Sequence, residues 1–172
     1  MKKRWSMVGL LILAVALAVT VALAPSAALA KEFKYAGPPA FTVTYPDTWT
    51  QAAENPNKVL IRLQKEGGLP TTEIQCTDNP KGVTVEKLGT WQKERYKRMY
   101  QTDVFIDSEK QATLKDGTPC NELMITWVYG GFLNLQTVLV SAVKDGKIIY
   151  VSTSTDPGKP DWTAARSLTF TK

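Results

Sequence analysis

The residues able to do chemistry are few, and one kind is missing. The 172-residue chain contains no histidine, which excludes Ser-His-Asp and Cys-His catalysis and the usual zinc sites. An enzyme built on this chain would depend on carboxylates, lysine or tyrosine. Glu73, Glu122, Asp103 and Asp107 fall on or beside segments with a strand pattern. Their spacing favours no pair converging on one substrate, and solvated strand faces account for them. Asp78, Asn79, Asp116, Asp145 and Asp156 occupy loop segments. They form no D-x-D-x-D-G calcium run, and Asp-Gly is ordinary hairpin chemistry. The expectation is no catalytic residue, no metal and no cofactor: not an enzyme.

Other residue groups bear on binding. Cys76 and Cys120 are the two cysteines, with no C-x-x-C to suggest redox catalysis. In an oxidising compartment an even pair invites a disulfide, while two small buried apolar residues on neighbouring strands is the other reading. Trp49, Trp91, Trp127 and Trp162 suit packing between helix and sheet better than a ligand pocket. Lys87, Lys93, Arg95, Lys97 and Arg98 gather in one segment and form a candidate surface for an acidic protein or anionic lipid headgroups. Glu86 and Glu94 interrupt that cluster, as solubility alone would require.

The compartment is read from the N-terminus. Lys2, Lys3 and Arg4 precede an apolar run over 7–24, and Ala28-Leu29-Ala30 supplies the small residues of a cleavage site. This is the layout of a secretory signal peptide over 1–30, cut after Ala30, giving a periplasmic or secreted protein. The competing reading is an uncleaved anchor through 7–24, because that run is long for a signal sequence. Pro25 and Ser26 break it just before the cleavage site. Without its leader the chain carries 18 Lys and Arg against 16 Asp and Glu, which gives no case for nucleic acid.

These residues need elements to position them. Residues 31–40 read as a short irregular segment ending in Gly37-Pro38-Pro39. Period-two alternation predicts strands at Phe41-Val43-Tyr45, Val59-Ile61-Leu63 and Thr72-Ile74-Cys76. From Thr84 the period becomes helical, with Val85, Leu88, Trp91, Tyr96 and Met99 on one face, so a helix over 84–100 should lay them on a sheet. Four strands follow, at about 103–114, 119–129, 133–143 and 147–155, joined by Asp116-Gly117, Gly130-Gly131 and Asp145-Gly146. A closing helical turn is expected over 161–168.

Four fragments in this order resemble a known family: Phe41 to Trp49 (FTVTYPDTW), Thr84 to Leu88 (TVEKL), Leu114 to Leu123 (LKDGTPCNEL) and Ser167 to Phe170 (SLTF). Together they resemble the PsbP-like superfamily, whose members include PsbP and DcrB-like α+β domains. The resemblance covers 41–172 as one domain and implies a single antiparallel sheet of about six strands sandwiched by helices. Members have unrelated partners, so it implies a scaffold and not a site. Where PsbP binds metal it draws partly on histidine, which this chain lacks.

Two functions are expected from these readings. The first is an exported, non-enzymatic accessory protein of the cell envelope, recognising a protein or lipid partner through its surface. The alternative is a small-molecule or metal carrier using a cleft between sheet and helix. A contiguous exposed apolar patch favours the first; a concave pocket with inward polar groups favours the second.

Overall fold

Tight turns organise most of this chain, and the computed structural model, which describes residues 30–54 and 59–171, places them where the dipeptides predict. Asp145 and Gly146 have φ of 50° and 71°, and Gly130 and Gly131 have 61° and 80°. Two consecutive positive φ values match the right-handed twist of flanking strands, which is why these dipeptides make hairpins. The strands they join are β6 (Val104–Thr113), β7 (Pro119–Tyr129), β8 (Leu133–Lys144) and β9 (Lys147–Thr155). Ahead of them come β1 (Ala30–Tyr35), β2 (Phe41–Pro46), β3 (Thr50–Gln51), β4 (Ile61–Gln64) and β5 (Thr71–Asp78). The one α-helix among the described residues, α1 (Leu88–Tyr100), lies between β5 and β6, and β10 (Thr169–Phe170) ends the chain.

The sheet differs from the expected one. Seven strands form an antiparallel sheet in the order β3-β4-β5-β9-β8-β7-β6, and a second sheet holds β1-β2-β10. So, among the described residues, the architecture is α+β with its helix on one face. The other face carries the small sheet and a 3-10 turn at Ala165–Ser167 in place of the expected closing helix. Residues 30–35 are strand rather than irregular. Phe33 and Tyr35 pack on Phe41 at ring distances of 6.3 and 5.1 Å, which supplies the apolar anchor that the charged neighbours obscured. The signal-peptide and anchor readings of 1–29 lie outside the described residues. Among the described residues no helix is long and apolar enough to cross a membrane.

Alternation along each strand sorts side chains between the two faces. Val138, Val140 and Ala142 of β8, with Ile149 and Val151 of β9, point at the small sheet and pack with Phe41, Leu168 and Phe170. Leu135 and Leu139 of β8, with Leu123, Ile125 and Trp127 of β7, point at α1 and meet Tyr96. The buried face of α1 is not the stripe that its periodicity predicts. Leu88, Gly89, Gln92 and Tyr96 are its buried residues, whereas Met99 is exposed. Gln92 Nε2 donates to Ser141 Oγ on β8 at 3.0 Å, so a polar anchor holds the middle of the helix.

Two polar devices fix the C-terminal segment. Arg166 donates from Nε and Nη2 to both carboxylate oxygens of Glu122, at 3.0 and 2.8 Å, and stacks on Trp162 at 4.4 Å. Asp116, in the turn between β6 and β7, accepts from the Thr118 N–H at 3.0 Å and from the Phe170 N–H at 2.9 Å. The Asp-Gly turn therefore holds β10 as well as its own hairpin.

No disulfide joins Cys76 and Cys120; both are free thiols. Register explains it. Cys76 pairs with Ile149, Ile149 with Ala142, and Ala142 with Cys120, so the two cysteines share one row with two strands between them. Three inter-strand steps of about 4.8 Å separate them by roughly 14 Å, twice the ~7 Å limit for a bridge. They are not on neighbouring strands either. What survives is the reading of small apolar side chains facing a core.

Candidate functional site

Two pairs of aromatic residues meet at the end of the helix. Tyr96 and Tyr100 stand four apart on α1 and so face the same way; Trp127 and Tyr129 stand two apart on β7 and share a sheet face. Tyr100 stacks on Trp127 at 4.2 Å and 29°, and Tyr96 meets the same indole edge-on at 5.4 Å. Tyr129 closes the group, 6.0 Å from both Tyr100 and Trp127. The indole is fixed from below, because Trp127 Nε1 donates to Thr137 Oγ1 at 2.8 Å. The tether satisfies the N–H of a buried indole and fixes the ring against Tyr100.

These rings wall a cleft of about 490 Å³ that runs between the helix and the sheet. Its other end is charged. Arg62 on β4 and Glu73 on β5 are cross-strand partners, and both line the cleft. Arg62 Nε is buried without a hydrogen-bond partner, and its approach to Glu73 Oε1 is 3.9 Å. Gly67-Gly68, in the turn between β4 and β5, lies against this end, and Leu133 and Leu135 of β8 line the aromatic end. The cleft is thus apolar along most of its length, with one guanidinium and one carboxylate side by side.

Among the groups with a shifted pKa, Tyr96 lines the cleft and the others lie outside it. Burial pushes the Tyr96 hydroxyl far above its ordinary value, and does the same to Tyr150 beneath the helix. Burial also raises the Cys76 thiol, and it pushes Cys120 up to about 11 with help from the nearby Glu122 carboxylate. Neither thiol is a thiolate at neutral pH, so neither is an activated nucleophile. On the opposite face, burial pushes the Glu122 carboxyl up, but hydrogen bonds from Arg166 and Lys110 outweigh it and hold the group below its ordinary value.

The residues singled out from the sequence are placed as follows. Glu73 lines the cleft, whereas Glu122 lies on the far face beneath Arg166 and Lys110, so these two carboxylates do not converge. Asp107 accepts from Thr126 and Gln136, and Asp103 lies exposed just before β6. Of the loop residues, Asp78 pairs with Lys147 and Asp156 with Lys159, and Asn79 closes its loop on Val83. Among the described residues no group of three or more Cys, Asp or Glu side chains is arranged to hold a metal.

The tryptophans divide. Trp127 lines the cleft, while Trp49 packs in the core under the small sheet. Trp91 meets Tyr150 edge-on at 6.3 Å, and Trp162 lies under Arg166. The basic segment divides too. Lys87, Lys97 and Arg98 are exposed and Lys93 half-buried, while the Arg95 guanidinium lies 4.5 Å over the Tyr150 ring. Lys87 and Arg98 border a second groove beside Trp91, which Lys81, Asp78 and Glu94 also line.

Sequence reasoning missed Arg62, Tyr100 and Tyr129. The i,i+4 tyrosines and the i,i+2 Trp127-Tyr129 pair are visible as spacings, but their convergence depends on how α1 crosses the sheet.

Comparison with known proteins bears on the fold. No family model matches the chain, and no curated protein does. Among solved structures, the solution structure of cyanobacterial PsbP (CyanoP) from Synechocystis sp. PCC 6803 is similar, with a TM-score of 0.63 and 14% sequence identity. That match covers 86% of this chain and 96% of the other. A Pseudomonas aeruginosa protein of unknown function, PA94, described as a putative regulator, superposes with a TM-score of 0.42 at 12% identity, over 74% of this chain and 83% of its own. The element order, the seven-stranded sheet with a helix on one face and the match to cyanobacterial PsbP together make the fold of this chain PsbP-like.

Proposed function

We propose that this chain is an exported, non-enzymatic binding protein of the cell envelope whose ligand site is the cleft between sheet and helix, a small-molecule carrier. The observation that carries this reading is a cleft of about 490 Å³ with four aromatic side chains and an inward-facing Arg62–Glu73 pair. That volume lies within the ~300–1,000 Å³ of sites that enclose small organic ligands, and such sites combine apolar walls with a few polar groups. Support for binding without chemistry comes from the missing histidine and from thiols and phenols held protonated by burial. Export rests on the leader. Cleavage after Ala30 would make Lys31 the first residue and remove a single residue from β1.

The test is thermal denaturation of the protein expressed with its leader, purified from the envelope and checked by intact mass for a start at Lys31. It is run against a panel of small organic acids, amines, zwitterions and neutral ring compounds. At least one class should raise the Tm in a saturable way through RT ln(1 + [L]/Kd), and Tyr129→Ser should weaken the effect. A flat response across the panel removes the carrier reading.

Surface recognition of a protein or an anionic lipid is the second reading, and one observation favours it. Phe132, at the tip of the β7–β8 turn, is 82% exposed, with the half-exposed Tyr129 and Leu133 beside it. Apolar side chains grouped at a turn mark contact sites. Co-purification from the envelope with and without Phe132→Ser distinguishes this reading from a carrier.

A further inference from the structure

We propose that the cleft takes an uncharged ring compound with a carbonyl-type oxygen at the end away from its ring, an inference that rests on the cleft being the ligand site. The lining decides the charge of the ligand. Among the described residues, Arg62 and Glu73 are its charged side chains, one of each sign, on directly paired positions of β4 and β5. With Nε and Oε1 3.9 Å apart, they make an ion pair within the lining. An anionic ligand would meet a guanidinium whose charge is already balanced and would crowd a carboxylate; a cationic ligand would meet the reverse. Either ion would also give up its hydration to a mostly apolar cleft. An uncharged ligand bears neither cost.

Arg62 supplies the polar anchor. Its Nε is buried and holds no hydrogen bond, because 3.9 Å to Glu73 is charge attraction beyond bonding reach. A buried N–H in that state gains from any acceptor, and a neutral oxygen is enough. Two other polar side chains of the lining are already engaged. Thr71 Oγ1 donates to the Gly68 carbonyl at 2.5 Å, and Ser154 Oγ bonds Thr137 Oγ1 at 2.8 Å, the same hydroxyl that holds the Trp127 indole. The acceptor of the ligand therefore belongs at the Arg62 end.

The opposite end decides the body. Arg62 on β4 and Trp127 on β7 are separated by β5, β9 and β8, roughly 19 Å between backbones before either side chain reaches inward. The ligand must therefore be elongated, with its rings far from its oxygen. At the far end Tyr100 and Trp127 are stacked at 4.2 Å, while Tyr129 and Leu133 form an apolar edge. Flat fused rings seat against such walls by face or edge contact. One small ring beside the oxygen would leave this end unfilled.

The test is calorimetric titration of the unaltered protein with naphthalene, with its methyl ketone, carboxylate and aminomethyl derivatives substituted at the same carbon, and with acetophenone. The naphthyl ketone should bind at least ~10-fold more tightly than naphthalene, the scale of one hydrogen bond to a charged donor. It should also bind more tightly than the carboxylate, the amine or acetophenone. Arg62→Met should reduce the naphthyl ketone to the affinity of naphthalene. Because the comparison of compounds uses the unaltered chain, it does not depend on how that variant folds. Naphthalene binding as tightly as its ketone would overturn the acceptor while leaving an apolar ligand site standing. A tighter carboxylate or amine would overturn the uncharged ligand, and an equal acetophenone the elongated body. If none of the five binds while another panel class raises the Tm, the ligand class fails; if nothing in the panel does, the site itself fails.

Discussion

The carboxyl group of Glu109 occupies the space that a Cβ on residue 89 would need. Gly89 is buried in the first turn of α1, and Glu109 on β6 is held there by Asn121 Nδ2, which donates to its Oε1 at 2.8 Å. The helix can approach the sheet this closely because residue 89 has no side chain. Gly89→Ala should destabilise the protein by about 1–2 kcal/mol, because Glu109 must swing outward and leave the buried Asn121 amide without its acceptor. Adding Glu109→Ala removes the clash, so in chemical denaturation the pair should be less destabilised than the sum of the two single variants. Additive values would show that the carboxyl group is displaced freely.

Glu122 ties three elements together. It carries Arg166 and Lys110 on one carboxylate, 9% exposed. Glu122→Gln should lower stability by about 1–3 kcal/mol, the range for losing charge-assisted hydrogen bonds at a mostly buried site. Its pKa is depressed in the folded protein, so the contribution is fully present above the unfolded value near 4 and is lost as pH falls through the lowered folded value. Stability curves of the two proteins measured from pH 7 downward should therefore converge in acid. A gap that stays constant would assign the effect to packing instead.

Asp116 offers a related test at the turn. It too is held below its ordinary value: burial raises it, and the N–H groups of Thr118 and Phe170 outweigh that. Asp116→Ala should release β10 from the hairpin. The expected readout is faster amide exchange at Phe170 and Phe41, which pair near the end of the small sheet, with little change in β7 and β8.

The thiols predict their own chemistry. Denatured, unreduced protein should show two free thiols per chain, and reductant should leave the Tm unchanged. In the native protein at neutral pH, Cys120 should alkylate slowly, being buried with its pKa pushed up to about 11. Absence of titratable thiol after unfolding would contradict the strand register.

Phe132→Ser tests the apolar tip by stability alone. A side chain 82% exposed makes little native contact, so the substitution should change stability by less than about 0.5 kcal/mol. A larger loss would mean that Phe132 packs onto the cleft mouth.

Legibility followed the range of the interactions. The strands after the helix are placed by Asp-Gly and Gly-Gly dipeptides and by alternation, both local, and their limits in the structure lie within a residue of those expected. β1 carries the same alternation in Phe33 and Tyr35, but Lys31, Glu32 and Lys34 mask it, and its partner β2 supplies the missing apolar surface. The second sheet could not be read, because β10 is two residues long and pairs with β2 more than a hundred positions away. The cysteines were misjudged for the same reason: their positions in one row follow from strand order, which local pattern does not contain. The cleft joins residues from β4, β5, α1 and β7, and only their packing brings Arg62 to the same cavity as Trp127.

Asp107 carries a last implication. It sits where the β6–β7 register shifts between Ile106 and Ser108, and its carboxylate folds back to accept from Thr126 and Gln136. β6 is the outermost strand of the seven, ten residues long, and an open edge of that length is a template for another chain. The bulge breaks its line of backbone donors and acceptors, and the exposed Asp107 carboxylate gives an incoming strand a charge to displace. An interruption of this kind works against edge-to-edge pairing between copies, the route by which a continuous edge of this length can polymerise into fibres.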